Sequence, residues 1–215
     1  MSLGFSCFAL LAYCALFSGG LWTGAFFLGV LCHEGGHLGA LALLGAPPGQ
    51  VSLSALGCRI TPSPRRSLTW GESAFVSLAG PGANLLAWAA GQAAGWGERH
   101  FFLCCLGLGL LHSLPILPLD GGLALEALLS RQLSPALGET LCWWVSAGLV
   151  LPLGILGLLV LFRSPGNFSL LAMSLYLACY LLGKETPPRR AVANRGKTRY
   201  NSPDYGEKET CGYVP

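Results

Sequence analysis

From Leu3 to Leu44 the chain carries one charged side chain, Glu34, and an apolar run of that length constrains the fold more than anything else in it. A surface helix keeps charge on one face, whereas about 20 consecutive uncharged residues are what a helix needs to cross a bilayer. The run is too long for one crossing and breaks at Ser18-Gly19-Gly20, so it predicts two helices, about 3–18 and 21–44. Further apolar stretches predict helices over about 73–95, 101–119, 139–162 and 166–183. A cleaved signal peptide is not expected, because no basic segment precedes the first run and the apolar sequence continues beyond it.

Composition agrees with a membrane setting. Of 215 residues, 53% are hydrophobic and 11% charged, against roughly a quarter charged in an ordinary soluble domain. The expected fold class is an all-α polytopic membrane protein with six transmembrane helices. One domain would cover 1–183, followed by a flexible polar tail over 184–215. With six spans, both termini share a side with the 45–72 and 120–138 loops. That side receives all 13 basic residues except Arg99 and Arg163. Positive residues stay cytoplasmic, so both termini of this multi-pass cell-membrane protein are expected in the cytoplasm. The net charge of +3 then faces anionic lipid rather than nucleic acid.

Between the second and third helices the pattern changes. Val51 to Ala55 alternates like a strand, and a turn near Leu56-Gly57 would return Cys58–Thr61 as a short membrane-associated β-hairpin. The strand 51–55 is expected to offer an edge to an extended peptide. Nine cysteines are scattered without a CxxC pair, which predicts small apolar side chains and no disulfide framework.

The chemistry sits in His33-Glu34-Gly35-Gly36-His37. Histidines four residues apart on a helix face one metal ion, and the intervening glutamate stands beside it, placed to take a proton from water. A carboxylate in mid-bilayer costs about 2.5–3.5 kcal/mol on insertion scales, so one found there needs a partner or a function. Glu34 and Asp120 are the two acidic residues inside or at the rim of a predicted span with apolar sequence around them. Asp120 follows Leu114-Pro115-Ile116-Leu117-Pro118-Leu119, where two prolines oppose a regular helix. Irregular backbone at membrane depth survives where protein or a wet cavity covers it. Two readings of Asp120 stand: a third, oxygen ligand for the metal, or the N-cap of a short helix over 121–130.

Three segments in order, His33–His37, then Leu78-Ala79-Gly80-Pro81-Gly82-Ala83-Asn84, then Leu114–Gly122, resemble the site-2 protease family of intramembrane zinc metalloproteases. Within that family the sequence is most similar to the type that acts at stage IV of sporulation. The resemblance implies one Zn2+ held by His33, His37 and Asp120, with Glu34 as the general base. It implies cleavage of a peptide bond in or near a membrane-associated segment of a regulatory protein, such as a pro-sigma factor. Inhibitory membrane proteins are implied as further partners, beside the lipids. The family usually has asparagine three residues before the first proline of the last motif, where this chain has His112. Asn84 and His112 are therefore the candidates for binding substrate. The plainer alternatives are an amide bonded between helices and a buried histidine satisfied by a carbonyl. A cytoplasmic nucleotide-sensing CBS domain, typical of the sporulation type, is not expected in the tail. The competing function is a non-catalytic membrane scaffold on a protease-like fold, which would not require ligands and base together.

Overall fold

The computed structural model describes residues 2–3, 20–46, 48–54, 57–62, 68–97, 99–164 and 168–184. They fall into two units, one ending at Ser113 and one beginning at Leu114.

The first unit contains a strand Ser2–Leu3 (β1), a helix Gly20–Leu43 (α1), strands Pro48–Ser54 (β2) and Gly57–Pro62 (β3), and helices Trp70–Ala93 (α2) and His100–His112 (α3). The three helices pack each against the other two. Gly45, with φ of 61°, stops α1 in the left-handed region, where a side chain would be strained. The amide of Ala46 then donates to the Leu41 carbonyl at 2.9 Å. Ala46 and Leu41 bury together with Leu68, the apolar contact that accompanies this kind of helix stop. Helix α2 begins at Trp70, earlier than the apolar pattern suggests, because Thr69 and Glu72 form a capping box. The Glu72 amide donates to Thr69 Oγ1 at 3.3 Å and the Thr69 amide donates to Glu72 Oε2 at 2.9 Å.

The backbone pairs β2 antiparallel with β3, while β1 pairs parallel with β2 through Ser2–Ser52 and Leu3–Leu53. The edge expected at 51–55 is therefore occupied at Ser52 and Leu53, and β2 is the central strand. Leu3, expected to open the first helix, is in this sheet instead; the rest of the expected helix 3–18 lies outside the described residues.

The second unit contains helices Asp120–Gln132 (α4), Pro135–Arg163 (α5) and Ser169–Gly183 (α6), with α5 packed against both others. The expected span 101–119 is not one helix. It stops at His112, and α4 starts only at Asp120. Pro115 and Pro118 withhold ladder amides and push the residues before them out of helical geometry. The intervening backbone forms tight turns, with the Leu119 amide donating to the Ile116 carbonyl at 2.8 Å. Ile116, Leu117 and Leu119 nevertheless join Cys142, Val150, Leu177 and Leu181 in the core of this unit.

One buried hydroxyl ties that segment down. Ser146 Oγ on α5 accepts from the Leu117 amide at 2.9 Å and donates to the Cys142 carbonyl at 2.7 Å. Ser146→Ala leaves the buried Leu117 amide unsatisfied and is expected to cost about 1–3 kcal/mol. Thermal unfolding in detergent measures it; an unchanged midpoint would contradict this bonding. At the other end of the unit, Lys184 Nζ lies 3.6 Å from Glu126 Oε2 on α4 and 3.4 Å from Glu139 Oε1 on α5. Burial pushes the Glu126 carboxyl above the usual carboxylate range, and the Lys184 ammonium opposes that shift.

Two described helices, α1 and α5, are long and apolar enough to cross a membrane. On α5 only 17% of the most apolar window is buried, so Leu141, Trp144, Leu149, Leu151 and Ile155 face outward. A core helix of a water-soluble protein would have covered them. The expected count of six spans is not met among the described helices. The 13 residues of α3 rise about 20 Å against a hydrocarbon core of about 30 Å. Helix α6 is apolar but also short. Helix α2 is long enough, yet carries Glu72, Ser73, Ser77, Asn84 and Gln92.

Candidate metal centre

Four of the residues singled out in the sequence meet in the first unit. His33 and His37, both buried, lie one turn apart on α1, with their Nε2 atoms 3.2 Å apart. Two nitrogens bonded to a tetrahedral zinc at about 2.0–2.1 Å stand roughly 3.3 Å from one another. The His33–His37 separation matches that distance.

Helix α2 holds the second ring in place. Pro81 leaves the Ser77 carbonyl without its helical amide and disturbs the turn before it. On that turn the Val76 carbonyl accepts from His37 Nδ1 at 2.7 Å. With its hydrogen on Nδ1, a neutral His37 keeps the Nε2 lone pair for a cation, the arrangement that metal-binding histidines ordinarily show.

Space for the ring comes from glycine. A Cβ at Gly80 would overlap the Nε2, Cε1 and Cδ2 atoms of His37. A Cβ at Gly36 would overlap the Ala79 carbonyl oxygen and lie 2.8 Å from Ala83 Cβ, so α1 and α2 approach closely only because that position is bare. Gly35 and Gly39 face open space and have no such role.

Asn84, fully buried on α2, lies with its amide nitrogen 3.4 Å from His33 Nδ1. Its amide oxygen is buried and finds no hydrogen-bond partner among the described residues. His112, the last residue of α3, sets its ring edge-on to His33 with centroids 4.5 Å apart. His112 is half-buried, a third imidazole against His33. Glu34 follows His33 on the same helix and is half-buried.

Asp120 belongs to the second unit, as the first residue of α4. The N-cap position is Leu119, which makes no side-chain cap, so the reading of Asp120 as an N-cap is overturned. Pro118 explains the offset. After the turn through Pro118, Leu119 is extended (φ −67°, ψ 159°) and takes the cap position, so the helix begins at Asp120.

Sequence reasoning missed the Val76 carbonyl and the role of Gly80. Both lie on the turn before Pro81, but the carbonyl a proline frees there is that of Ser77, so the sequence carries no signal for Val76.

The chain has the fold of a site-2 protease. The solved Site-2 Protease from Methanocaldococcus jannaschii matches it with a TM-score of 0.58 at 17% sequence identity, covering 96% of this chain and 94% of that one. No protein-family model and no curated protein matches the sequence.

Proposed function

We propose that this protein is an intramembrane zinc metalloprotease. The observation that carries the reading is the pair of Nε2 atoms 3.2 Å apart on an apolar helix, one of them already oriented through its far nitrogen. His33, His37 and Asp120 are the residues that would hold the ion. When bound, zinc lowers the pKa of water towards 7 and polarises a peptide carbonyl. Glu34, one residue from a ligand, takes the proton of the attacking water and returns it to the leaving amine. The apolar helices around the histidines keep bulk water away and strengthen that proton transfer.

The substrate proposed is a membrane-associated regulatory protein with a scissile bond in or near its membrane segment, a pro-sigma factor of the sporulation kind being one instance. Residues 1–183 are proposed as one multi-pass domain with cytoplasmic termini and tail. The bias of basic residues towards the loops on that side supports this orientation.

Metal analysis of the purified protein tests the site. Wild type is expected to hold one zinc per chain, and His37→Ala and Asp120→Ala are each expected to lose it. Zinc content unaffected by either replacement would remove the proposal.

A further inference from the structure

Asn84 was a candidate for binding substrate, but its neighbour is a histidine. As placed, its amide nitrogen faces His33 Nδ1 at 3.4 Å, which makes Nδ1 an acceptor. A neutral imidazole then carries its hydrogen on Nε2. That hydrogen is donated to His37 Nε2, 3.2 Å away, which accepts because the hydrogen of a neutral His37 is on Nδ1, donated to Val76. The result is a continuous chain, Asn84 to His33 to His37 to the Val76 carbonyl, that closes without a cation. It leaves the Asn84 oxygen buried and unpartnered among the described residues, at a cost of about 1–3 kcal/mol for such a group.

A cation needs the opposite arrangement at His33, with the hydrogen on Nδ1 and the Nε2 lone pair bare. A half-turn of the Asn84 amide supplies it, because oxygen and nitrogen exchange places with almost no change of shape. The oxygen then accepts from His33 Nδ1–H and gains the donor it lacked. The turned N–H2 needs an acceptor in exchange, a role open to water or a substrate carbonyl.

We infer that Asn84 is the positioning residue for His33, donating to Nδ1 in the metal-free site and accepting from Nδ1–H when zinc is held. This inference rests on the metal reading above and assigns Asn84 a task on the protein side of the ion. An amide can serve both states, whereas a carboxylate serves only the second and an alkyl group neither.

The test uses full-length protein in detergent, with zinc affinity from chelator competition and the His33 tautomer from ring-nitrogen NMR shifts of the metal-free protein. Asn84→Leu is expected to weaken zinc binding about 10–100-fold, the usual effect of losing an outer partner of a ligand. Asn84→Asp is expected to bind zinc at least as tightly as wild type and to move the metal-free hydrogen of His33 from Nε2 to Nδ1. Equal zinc affinity in wild type and Asn84→Leu overturns the inference and leaves the metal reading standing. So does an unchanged His33 tautomer in Asn84→Asp. A tautomer that follows residue 84 in a wild type that takes up no zinc supports the Asn84–His33 pairing but removes the metal reading, and with it the zinc-bound half of the inference.

Discussion

Replacing Glu34 with glutamine is expected to cut peptide hydrolysis about 10²–10⁴-fold while zinc content stays that of wild type. The expectation follows from what the replacement alters. Glutamine has the same shape as glutamate and fills the same half-buried place on α1, so the packing of that helix is kept. What disappears is the ability to accept a proton from water and hand it on. The two histidines and Asp120 are untouched, which is why the metal should remain. The measurement pairs zinc analysis with cleavage of reporter proteins that each carry one apolar span. A scaffold would be indifferent to the exchange. Cleavage by Glu34→Gln at the wild-type rate would show that another group takes the proton, and loss of zinc would make Glu34 a ligand rather than a base.

The second large effect is expected from one methyl group. Gly80→Ala should lower zinc affinity at least about 100-fold with little change in thermal stability. Two forces act in opposite directions here. Alanine is favoured over glycine inside a helix by about 1 kcal/mol, so α2 itself should gain. The added Cβ, however, falls on the ring of His37, the movable end of a side chain, and the ring gives way rather than the backbone. Once turned, His37 loses both the Val76 carbonyl and its alignment with His33. Gly39→Ala is the control, since nothing lies within 4 Å of a Cβ there, and it should bind zinc as wild type does. Wild-type affinity in Gly80→Ala would mean that His37 does not occupy the space Gly80 leaves.

How much of this was legible in the chain depends on how local each cause is. Helix α1 follows from apolar composition alone, and its histidine pair follows from the helical repeat, because four residues always return a side chain to nearly the same face. The start of α2 was legible too, in Thr69-Trp70-Gly71-Glu72, although the apolar pattern points later. Similarly, Ser134-Pro135 sets the start of α5, with the Leu137 amide donating to Ser134 Oγ at 3.3 Å. The break after His112 was half legible. Two prolines announce irregular backbone, but apolar composition alone extends a span straight through them.

Other features arise between elements that sequence reading takes one at a time. The parallel pairing of Ser2–Leu3 with β2 joins residues some fifty positions apart, and nothing in either segment announces the other. His112 shows the same thing. Alone on α3 it reads as one polar residue on an apolar helix, and only the packing of α3 on α1 brings it edge-on to His33.

The sequence by itself determined the apolar setting, the histidine pair with its glutamate, and the prolines that end one helix and delay the next. Those depend on composition, on the 3.6-residue repeat and on the missing amide of proline, all of which are local. The tertiary structure alone decided which nitrogen of His37 carries the hydrogen, why residue 80 is glycine, and that Asn84 attends His33. Each depends on a distance of a few ångströms between α1 and α2, set by the close approach at Gly36 and by nothing within either helix.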